Sequence, residues 1–532
     1  MSLADVVRPD APSSPTDERD LTAQMKEWRQ GRATRTLGQA LSNAYVAIFG
    51  VLVIGAMVVN VIFQAQVTVS ACDTTTCLAA RTALPWAASA FAIATALAAA
   101  NLFGPVVASA AEGFWLMDAP VRRGRLLGGR LVGVVLATGV VGLLLGALVA
   151  ALSGQSPTAI VAWSVATGLA SAASVGFAAT QQSRDHTIVT RVFSGLFQVI
   201  TLVAFLFVIA VAAAWIALPD LGDQLIMVPV VLGGVALIGV VVWTILARRR
   251  LDGLRRARLI SGGSLVSGLA GSMYALDLGL MRDILTERRC EEIGNVKPRS
   301  SVGVGLTALT WRDVLRLRRF PKPLFAVVAT IVVPYALDAL GLAVIAPPVA
   351  ALALFGATVP LLGQLRVLTR TGGLARTLPF NPGQIKRAAV VVPAVIALLW
   401  ALACFPAYLG FGEGAVVRTI PEAIVISELT AAAGLFGAIR WTIAKPINYS
   451  APMVSTQAGA MPPGMFTNMI RGFDMCLLIT APILFGLPVL ISVVLAILVG
   501  SILLSSINAA EMQERAKQQQ ADLEKARKAN GR

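Results

Sequence analysis

Two acidic side chains stand inside long apolar stretches of the sequence, where an ionisable group indicates function by default. They are Asp338 and Glu428, and either could bind a cationic substrate or carry a proton. Each could equally pair with a polar neighbour for structural reasons. Gln198 and Gln364 also lie in apolar stretches. Amides there often bond between helices, and we keep both as further candidates for a substrate pathway.

Two cysteines could form a covalent bridge. Cys72 and Cys77 bracket a short polar segment that we expect in an outer loop. An oxidising exterior permits a disulfide between them, and two free thiols are the alternative. The chain has one histidine, His186, set among polar and charged residues. One histidine cannot complete a metal site, so we predict no metal centre and no catalytic residue.

Two short segments with proline, glycine and basic side chains could bind a partner. We call residues 117–126 the first elbow and residues 377–386 the second elbow; in both, a proline is followed four residues later by a glycine. Such a pattern predicts a sharp turn between two apolar stretches. The candidate contact residues are Pro120, Arg122, Arg123 and Arg125 in the first elbow and Pro379, Asn381, Gln384 and Lys386 in the second.

The composition shows what kind of protein must position these residues. The 532 residues are 56% hydrophobic and only 14% charged, against ~25% charged in an average soluble domain. The mean hydropathy is +0.76. These values exclude a soluble enzyme, a disordered scaffold and a disulfide-stapled secreted protein. The net charge of +16 then indicates basic loops on the cytoplasmic side of a membrane rather than binding of nucleic acid.

Apolar runs long enough to cross the hydrocarbon core, which needs ~20 residues, occur about twelve times. Lys and Arg gather in the loops on one side, and the opposite loops hold only Arg81 and Arg418. The positive-inside rule therefore predicts an all-α polytopic protein of the cell membrane with both termini in the cytoplasm. The predicted spans are roughly 43–64, 86–111, a hairpin that turns at Gly154-Gln155-Ser156-Pro157, 192–217, 225–247, 323–344, 346–369, 388–411, 419–440, 473–487 and 489–508.

The elbows belong to an internal repeat of two parallel six-span halves. Each elbow follows the second span of its half, and a Trp-Arg segment precedes each half, at Trp28 and at Trp311. These segments predict interfacial helices, and ordinary basic flanks are the alternative. The predicted domains are a cytoplasmic tail with an interfacial helix (1–42), the first half (43–250), a cytoplasmic linker (251–309), the second half with its interfacial helix (310–508) and a charged cytoplasmic tail (509–532).

This layout resembles the type 2 ABC exporter permease superfamily, in which six spans form a half-transporter and the loop after the second span docks on an ATPase. The segment 449–459, continued by Pro462-Pro463-Gly464 and by Arg471-Gly472-Phe473-Asp474, is similar to a bacterial family of large uncharacterised integral membrane proteins associated with ABC ATPases. No G-x-x-x-x-G-K-[ST] motif occurs in the chain. The resemblance implies a subunit without cofactors whose partner ATPase, in two copies, holds ATP and Mg²⁺.

The leading hypothesis is the permease subunit of an ABC exporter in the bacterial cell membrane, moving an amphipathic or apolar drug, peptide or lipid-like compound outward. Its expected partners are the ATPase subunits, the bilayer and the transported compound, with no nucleic acid. The alternative is a proton-coupled secondary multidrug transporter that uses Glu428 and Asp338. A membrane enzyme acting on lipid-linked sugars would need carboxylates or a nucleophile in outer loops, and the predicted outer loops are too short for that.

Overall fold

The computed structural model describes residues 37–505 apart from fourteen gaps. The disulfide candidate Cys72 and the predicted contact residues Pro120 and Arg122 lie outside the described residues, as do the segment around Trp28 and the side chain of Arg125. The gaps are 71–73, 116–122, 185–187, 217–225, 275–277, 299, 301, 372, 375–376, 411–416, 445–453, 457–458, 462–467 and 469.

Long helices build the first half, because backbone groups in an apolar stretch must pair within their own helix. The turn between the fourth and fifth helices falls at the predicted Gly154–Pro157 segment. Ala159 N donates to Ser156 Oγ at 3.4 Å, and Pro157 opens the helix that Ser156 caps. The helices are α1 (Leu37–Ser70), α2 (Thr75–Phe103), α3 (Ala110–Trp115), α4 (Arg123–Leu152), α5 (Pro157–Gln182), α6 (Ile188–Ala212) and α7 (Met227–Arg250).

The linker contains a 3-10 turn and two helices, which lie against each other. These are the turn Leu251–Gly253, α8 (Arg256–Tyr274) and α9 (Leu278–Ile293). The second half begins with α10 (Leu306–Arg319), the helix expected around Trp311. It continues with α11 (Lys322–Ala329), α12 (Val332–Ala339), α13 (Ala346–Thr358), the 3-10 turn Val359–Leu362, α14 (Gly363–Arg370), α15 (Pro382–Leu409), α16 (Ile420–Thr442), α17 (Phe473–Leu484) and α18 (Val489–Leu504).

Two predicted spans of the second half are interrupted. The span expected at 323–344 is formed by α11 and α12, and the span expected at 346–369 is formed by α13 and α14 on either side of the 3-10 turn Val359–Leu362. Pro360 lies in that turn. Because proline has no N–H, the α-helical hydrogen-bond ladder is broken there. A short antiparallel hairpin, β1 (Val454–Thr456) and β2 (Gly459–Met461), lies in the predicted polar segment.

The chain is an all-α polytopic membrane protein apart from this hairpin. Within the described residues, nine helical segments are long and apolar enough to cross a membrane, counting α11 with α12 and α13 with α14 as single segments. Three further apolar stretches are shorter: 55–70, which is the last part of α1, and the helices α17 and α18. The number of twelve spans and the six-span repeat therefore stay predictions.

The two halves have separate cores and meet along one shared seam. The core of the second half surrounds Trp400 and Tyr408, and that of the first half contains Leu127 and Leu131. The seam joins alanines and valines of α2 and α6 to the buried face of α12, which includes Tyr335. A relative movement of the halves must therefore involve this seam.

Candidate functional site

The charged contacts of the protein concentrate at one end of the helix bundle, which we call the basic end. It is the end at which α2, α5 and α7 finish and α4 begins. Gln182 at the end of α5 pairs with the backbone of Val106, donating to its oxygen at 2.8 Å and accepting from its N–H at 3.1 Å. Arg258 of the linker donates to Gln182 O at 3.0 Å. The linker is therefore bound directly to the helix ends.

The linker meets the first half through two adjacent glycines of α8. A Cβ atom at Gly263 would lie 1.8 Å from Ala108 O, and one at Gly262 would lie 2.1 Å from Phe103 O. Side chains larger than hydrogen do not fit against a backbone at these distances. Ala108 N also donates to Leu259 O of α8 at 3.0 Å. This attachment therefore depends on close backbone packing.

The described part of the first elbow is bonded to the linker as well. Arg123 Nη1 donates to Leu254 O at 2.6 Å, and Gly124 N donates to Asp252 Oδ1 at 2.8 Å. The Asp252 carboxylate thus satisfies an N–H in the first turn of α4, where a negative charge is favourable. Arg123, predicted to contact a partner, is half-buried and hydrogen-bonded within the chain.

An ion pair between Arg130 and Glu112 holds the loop 104–109, which packs against α8. Arg130 binds both oxygens of the Glu112 carboxylate, with 2.8 Å between Nη1 and Oε2. Arg130 Nη1 also donates to Val107 O at 3.1 Å. The hydrogen bond from Arg130 is the main reason that the pKa of Glu112 falls from 4.5 to about 2, and burial opposes this shift. The loop that accepts α8 is therefore fixed to α4.

The linker meets the second half through charged side chains of α9. Buried Arg366 of α14 donates to both oxygens of Asp283, each at 2.5 Å, and to Gly279 O at 2.8 Å. The guanidinium groups of Arg282 and Arg366 lie 5.6 and 5.7 Å from the ring centre of Trp441. Such distances allow cation–π attraction. This attachment is therefore largely electrostatic, in contrast to the glycine contact of α8.

Arginines from two elements satisfy the carbonyls of the 3-10 turn Val359–Leu362. Arg282 of α9 donates to Val359 O at 2.6 Å, and Arg316 of α10 donates to Leu361 O. Burial, with Arg366 and Arg316 nearby, lowers the pKa of Arg282 to about 10. The interruption of the span is therefore the place where the linker, α10 and α14 converge.

A buried acid lies beside this junction. Asp313 of α10 is 2% exposed, and its Oδ1 is 3.4 Å from Arg316 Nη2. Burial raises the pKa of Asp313 from 3.8 to about 6, although Arg316 and Arg312 act in the opposite direction. Neither carboxylate oxygen accepts a hydrogen bond within the described part of the chain. Asp313 was not singled out by the sequence, because only its position in the fold makes it buried.

The four predicted pathway residues lie on four different helices and do not form one cluster. Asp338 is 6% exposed on α12, the helix of the seam, and Gln364 lies on α14 with an amide that has no hydrogen-bond partner among the described residues. Glu428 and Gln198 are exposed, on α16 and α6. Gln198 Nε2 donates to Ser194 Oγ at 3.4 Å. Of the two acids, Asp338 has the position expected for a group between the halves.

The second elbow presents an exposed and well-formed turn. Pro379, Asn381 and Gln384 are exposed, and Asn381 N donates to Gln384 Oε1 at 3.1 Å in a capping box that begins α15. Lys386 is half-buried and donates to Ser505 O at 3.4 Å. Three of the four predicted contact residues are therefore accessible, and Lys386 binds within the chain.

The structure describes only one of the two cysteines that are predicted to form a disulfide. Cys77 is disulfide-bonded and buried, and Cys72 lies outside the described residues, so the pairing stays a prediction. Cys290, Cys404 and Cys476 are free. Among the described residues, no three Asp, Glu, His or Cys side chains are grouped so that they could hold a metal ion.

The sequence model of a family described as "Family of unknown function (DUF6297)" matches residues 77–452, which is more than half of the chain. No curated protein and no solved structure matches it. The function must therefore be inferred from the residues and contacts described above.

Proposed function

We propose that this chain, which belongs to the DUF6297 family of unknown function, is the membrane-spanning permease subunit of an ABC exporter. It moves an amphipathic or apolar compound outward, using ATPase subunits on separate chains that hold ATP and Mg²⁺. The basic end faces the cytoplasm of a bacterial cell, in agreement with the positive-inside rule. The observation that carries this proposal is the second elbow, an exposed turn that its own capping box has already ordered.

A preformed surface is suited to docking because its ordering does not oppose binding. The second elbow includes the first turn of α15, whose buried residues include Trp400 and Tyr408. A force on the elbow therefore acts on the core of the second half. From there, Tyr335 of α12 donates to Ala403 O of α15 at 2.8 Å. Because α12 forms the seam, docking at the elbow is linked by direct contacts to the boundary between the halves.

The docking test is co-purification of an ABC ATPase expressed together with the full chain. Pro379→Glu places a charge at the exposed turn and leaves the Asn381–Gln384 capping box intact. We expect about tenfold less ATPase bound per chain, a change of ~1.4 kcal/mol. The matched control is Pro488→Glu, which alters an exposed proline between α17 and α18. An unchanged ATPase yield with Pro379→Glu would exclude the second elbow as the docking surface.

Asp338 favours a second candidate, a proton-coupled secondary transporter. It is the predicted acid that is buried at the seam, where alternating access would change its surroundings. Glu428 is exposed and lacks that support. If Asp338→Asn abolishes transport in cells and depletion of ATP at a maintained proton gradient does not affect the wild type, the secondary transporter is correct. Loss of wild-type transport on ATP depletion supports the exporter.

A further inference from the structure

Two arginines that lie against the same tryptophan each have a buried nitrogen without a hydrogen-bond partner. The guanidinium groups of Arg282 in α9 and Arg366 in α14 both lie within 6 Å of the ring centre of Trp441, at 5.6 and 5.7 Å. In both side chains the Nη1 atom is buried and has no partner among the described residues. A buried cationic donor without an acceptor is costly. These two nitrogens therefore favour the binding of an anion beside Trp441.

The neighbouring carboxylate of Asp283 does not satisfy these nitrogens. Both of its oxygens are bonded to Arg366, Oδ1 to Nε and Oδ2 to Nη2, each at 2.5 Å. A phosphate has more oxygens than a carboxylate and can accept from two guanidinium groups at once. The Asp283 side chain is 48% exposed, whereas that of Arg366 is only 8% exposed. Asp283 can therefore move into water, while Arg366 stays buried and still needs an anion.

The charges around this tryptophan do not balance. Asp283 is ion-paired with Arg366. Asp313 is ion-paired with Arg316, so Arg282 has no carboxylate partner within the described part of the chain. Burial is the main cause that lowers the pKa of Arg282, Arg366 lowers it further, and Asp283 opposes the shift. Because charges shift a pKa strongly only at short range, the Asp283 carboxylate and the two guanidinium groups share one locus with surplus positive charge.

We propose that Arg282 and Arg366 form a phosphate site in which Asp283 is a displaceable internal ligand. The phosphate takes over the two hydrogen bonds of Asp283 and adds acceptors for the two Nη1 atoms. Arg366 lies one turn before the end of α14, and Trp441 lies one residue before the end of α16. Phospholipid headgroups and phosphate free in solution both reach the ends of spanning helices, and they offer the same chemistry. This site does not depend on the proposed transport function.

The test is equilibrium dialysis of the delipidated full chain with radiolabelled inorganic phosphate, in dodecyl maltoside at constant ionic strength. We expect saturable binding of a single phosphate per chain. Phosphatidylglycerol added in the same detergent displaces the label if the natural source is a lipid headgroup, and leaves it bound if the source is free phosphate. A wild-type chain without saturable binding would overturn the proposal.

Asp283→Asn tests whether the carboxylate competes with phosphate. The variant keeps the shape of the side chain and removes its charge, so we expect about tenfold tighter binding, which is ~1.4 kcal/mol. A damaged fold cannot produce this gain. The matched control is Glu291→Gln, which removes an equal charge about two turns further along α9 and should leave the affinity unchanged. An equal affinity of Asp283→Asn and the wild type would contradict the displacement.

Arg282→Lys tests the guanidinium group that has no carboxylate partner. Lysine keeps the positive charge but lacks the planar fork of donors, so we expect about tenfold weaker binding. Its control is Arg289→Lys, which changes an exposed arginine of the same helix and should bind phosphate as the wild type does. If Arg282→Lys binds phosphate with unchanged affinity, Arg282 is not part of the site and the proposal is wrong.

Discussion

The two helices of the linker lie against each other, yet they attach to the two halves by different physical means. On the first half, α8 places Gly262 and Gly263 against backbone carbonyls. On the second half, α9 is held by the pairing of Asp283 with Arg366 and by Arg282. Close packing is indifferent to salt and pH, whereas ionic contacts respond to both. The linker is therefore held to the first half by close packing in addition to charged side chains such as Arg258, and to the second half mainly by charged side chains.

The two elbows also differ in which residues cap the helices that start there. The linker residue Asp252 caps the start of α4 in the first elbow, and the start of α15 in the second elbow is capped by its own Asn381 and Gln384. The first elbow is therefore hydrogen-bonded to the linker at Asp252 and Leu254. The second elbow touches the other end of the linker, where Phe380 lies beside Gly305, and its own capping residues are exposed. Similar positions in the two halves therefore do not imply similar contacts. The substitutions proposed next each change a residue that contacts one half only.

The largest effect is expected from Gly263→Ala. The added Cβ would lie 1.8 Å from Ala108 O, and a backbone atom cannot move aside as a side chain can. We expect α8 to be displaced, with at least ~3 kcal/mol lost from the free energy of its local opening. Hydrogen exchange of α8 amides in the full chain measures this value.

The matched control is Gly271→Ala in the same helix, where an added Cβ meets nothing within 4 Å. Alanine is the better helix former, so this change should be neutral or stabilise α8 by up to ~1 kcal/mol. Equal destabilisation by the two substitutions would show that close packing is not what holds α8.

Some of these features can be predicted from local sequence, and others depend on contacts between distant residues. Spans and the Gly154–Pro157 turn follow from local hydropathy, because charge is excluded from hydrocarbon wherever it occurs in the chain. The pairing of Arg366 with Asp283, 83 residues apart, depends on tertiary structure and has no local signal. Pro360 is a local sequence signal for the interruption within the span predicted at 346–369. The second elbow was predictable because proline and capping residues act over a few positions.

The second prediction is an opposite response of the two halves to acid. The pKa of Asp313 rises from 3.8 to about 6 in the folded protein. Folding therefore favours the protonated acid, and its stabilising effect is complete below about pH 4 and disappears as the pH rises to about 6. We expect α10 to lose ~2–3 kcal/mol of local stability across this interval. Asp313→Asn should remove this slope in hydrogen exchange.

Glu112 serves as the comparison in the first half. Its folded pKa of about 2 lies below the ordinary value of 4.5. Its stabilising effect is therefore complete above pH 4.5 and is lost as the pH falls towards 2. Acidification from pH 6 to 4.5 should tighten α10 and leave α3 unchanged. If acidification changes the local stability of α3 and α10 with the same sign, the pKa shifts assigned to Glu112 and Asp313 are wrong.

The third prediction concerns salt. Asp283→Asn removes the carboxylate that pairs with buried Arg366, and water can partly replace it because the Asp283 side chain is 48% exposed. We expect α9 to lose ~1–2 kcal/mol of local stability and α8 to lose none. Added salt should loosen α9 in the wild type and much less in the variant. Glu291→Gln, which alters an exposed pair with Arg288 on the same helix, is the control and should change stability by less than ~0.5 kcal/mol.

The smallest effect is expected at the side chains that cap the two elbows. The two substitutions should cost the same stability, but they should change hydrogen exchange in different segments. Asp252→Ala and Asn381→Ala each remove a side chain that caps a helix, at a cost of ~1 kcal/mol. Asp252 belongs to the linker, so its loss should increase hydrogen exchange in both α4 and the segment 251–259. Loss of Asn381 should affect only the first turn of α15. An effect of Asn381→Ala on the segment 251–259 would mean that both elbows are coupled to the same part of the linker, and the contrast between the elbows would fail.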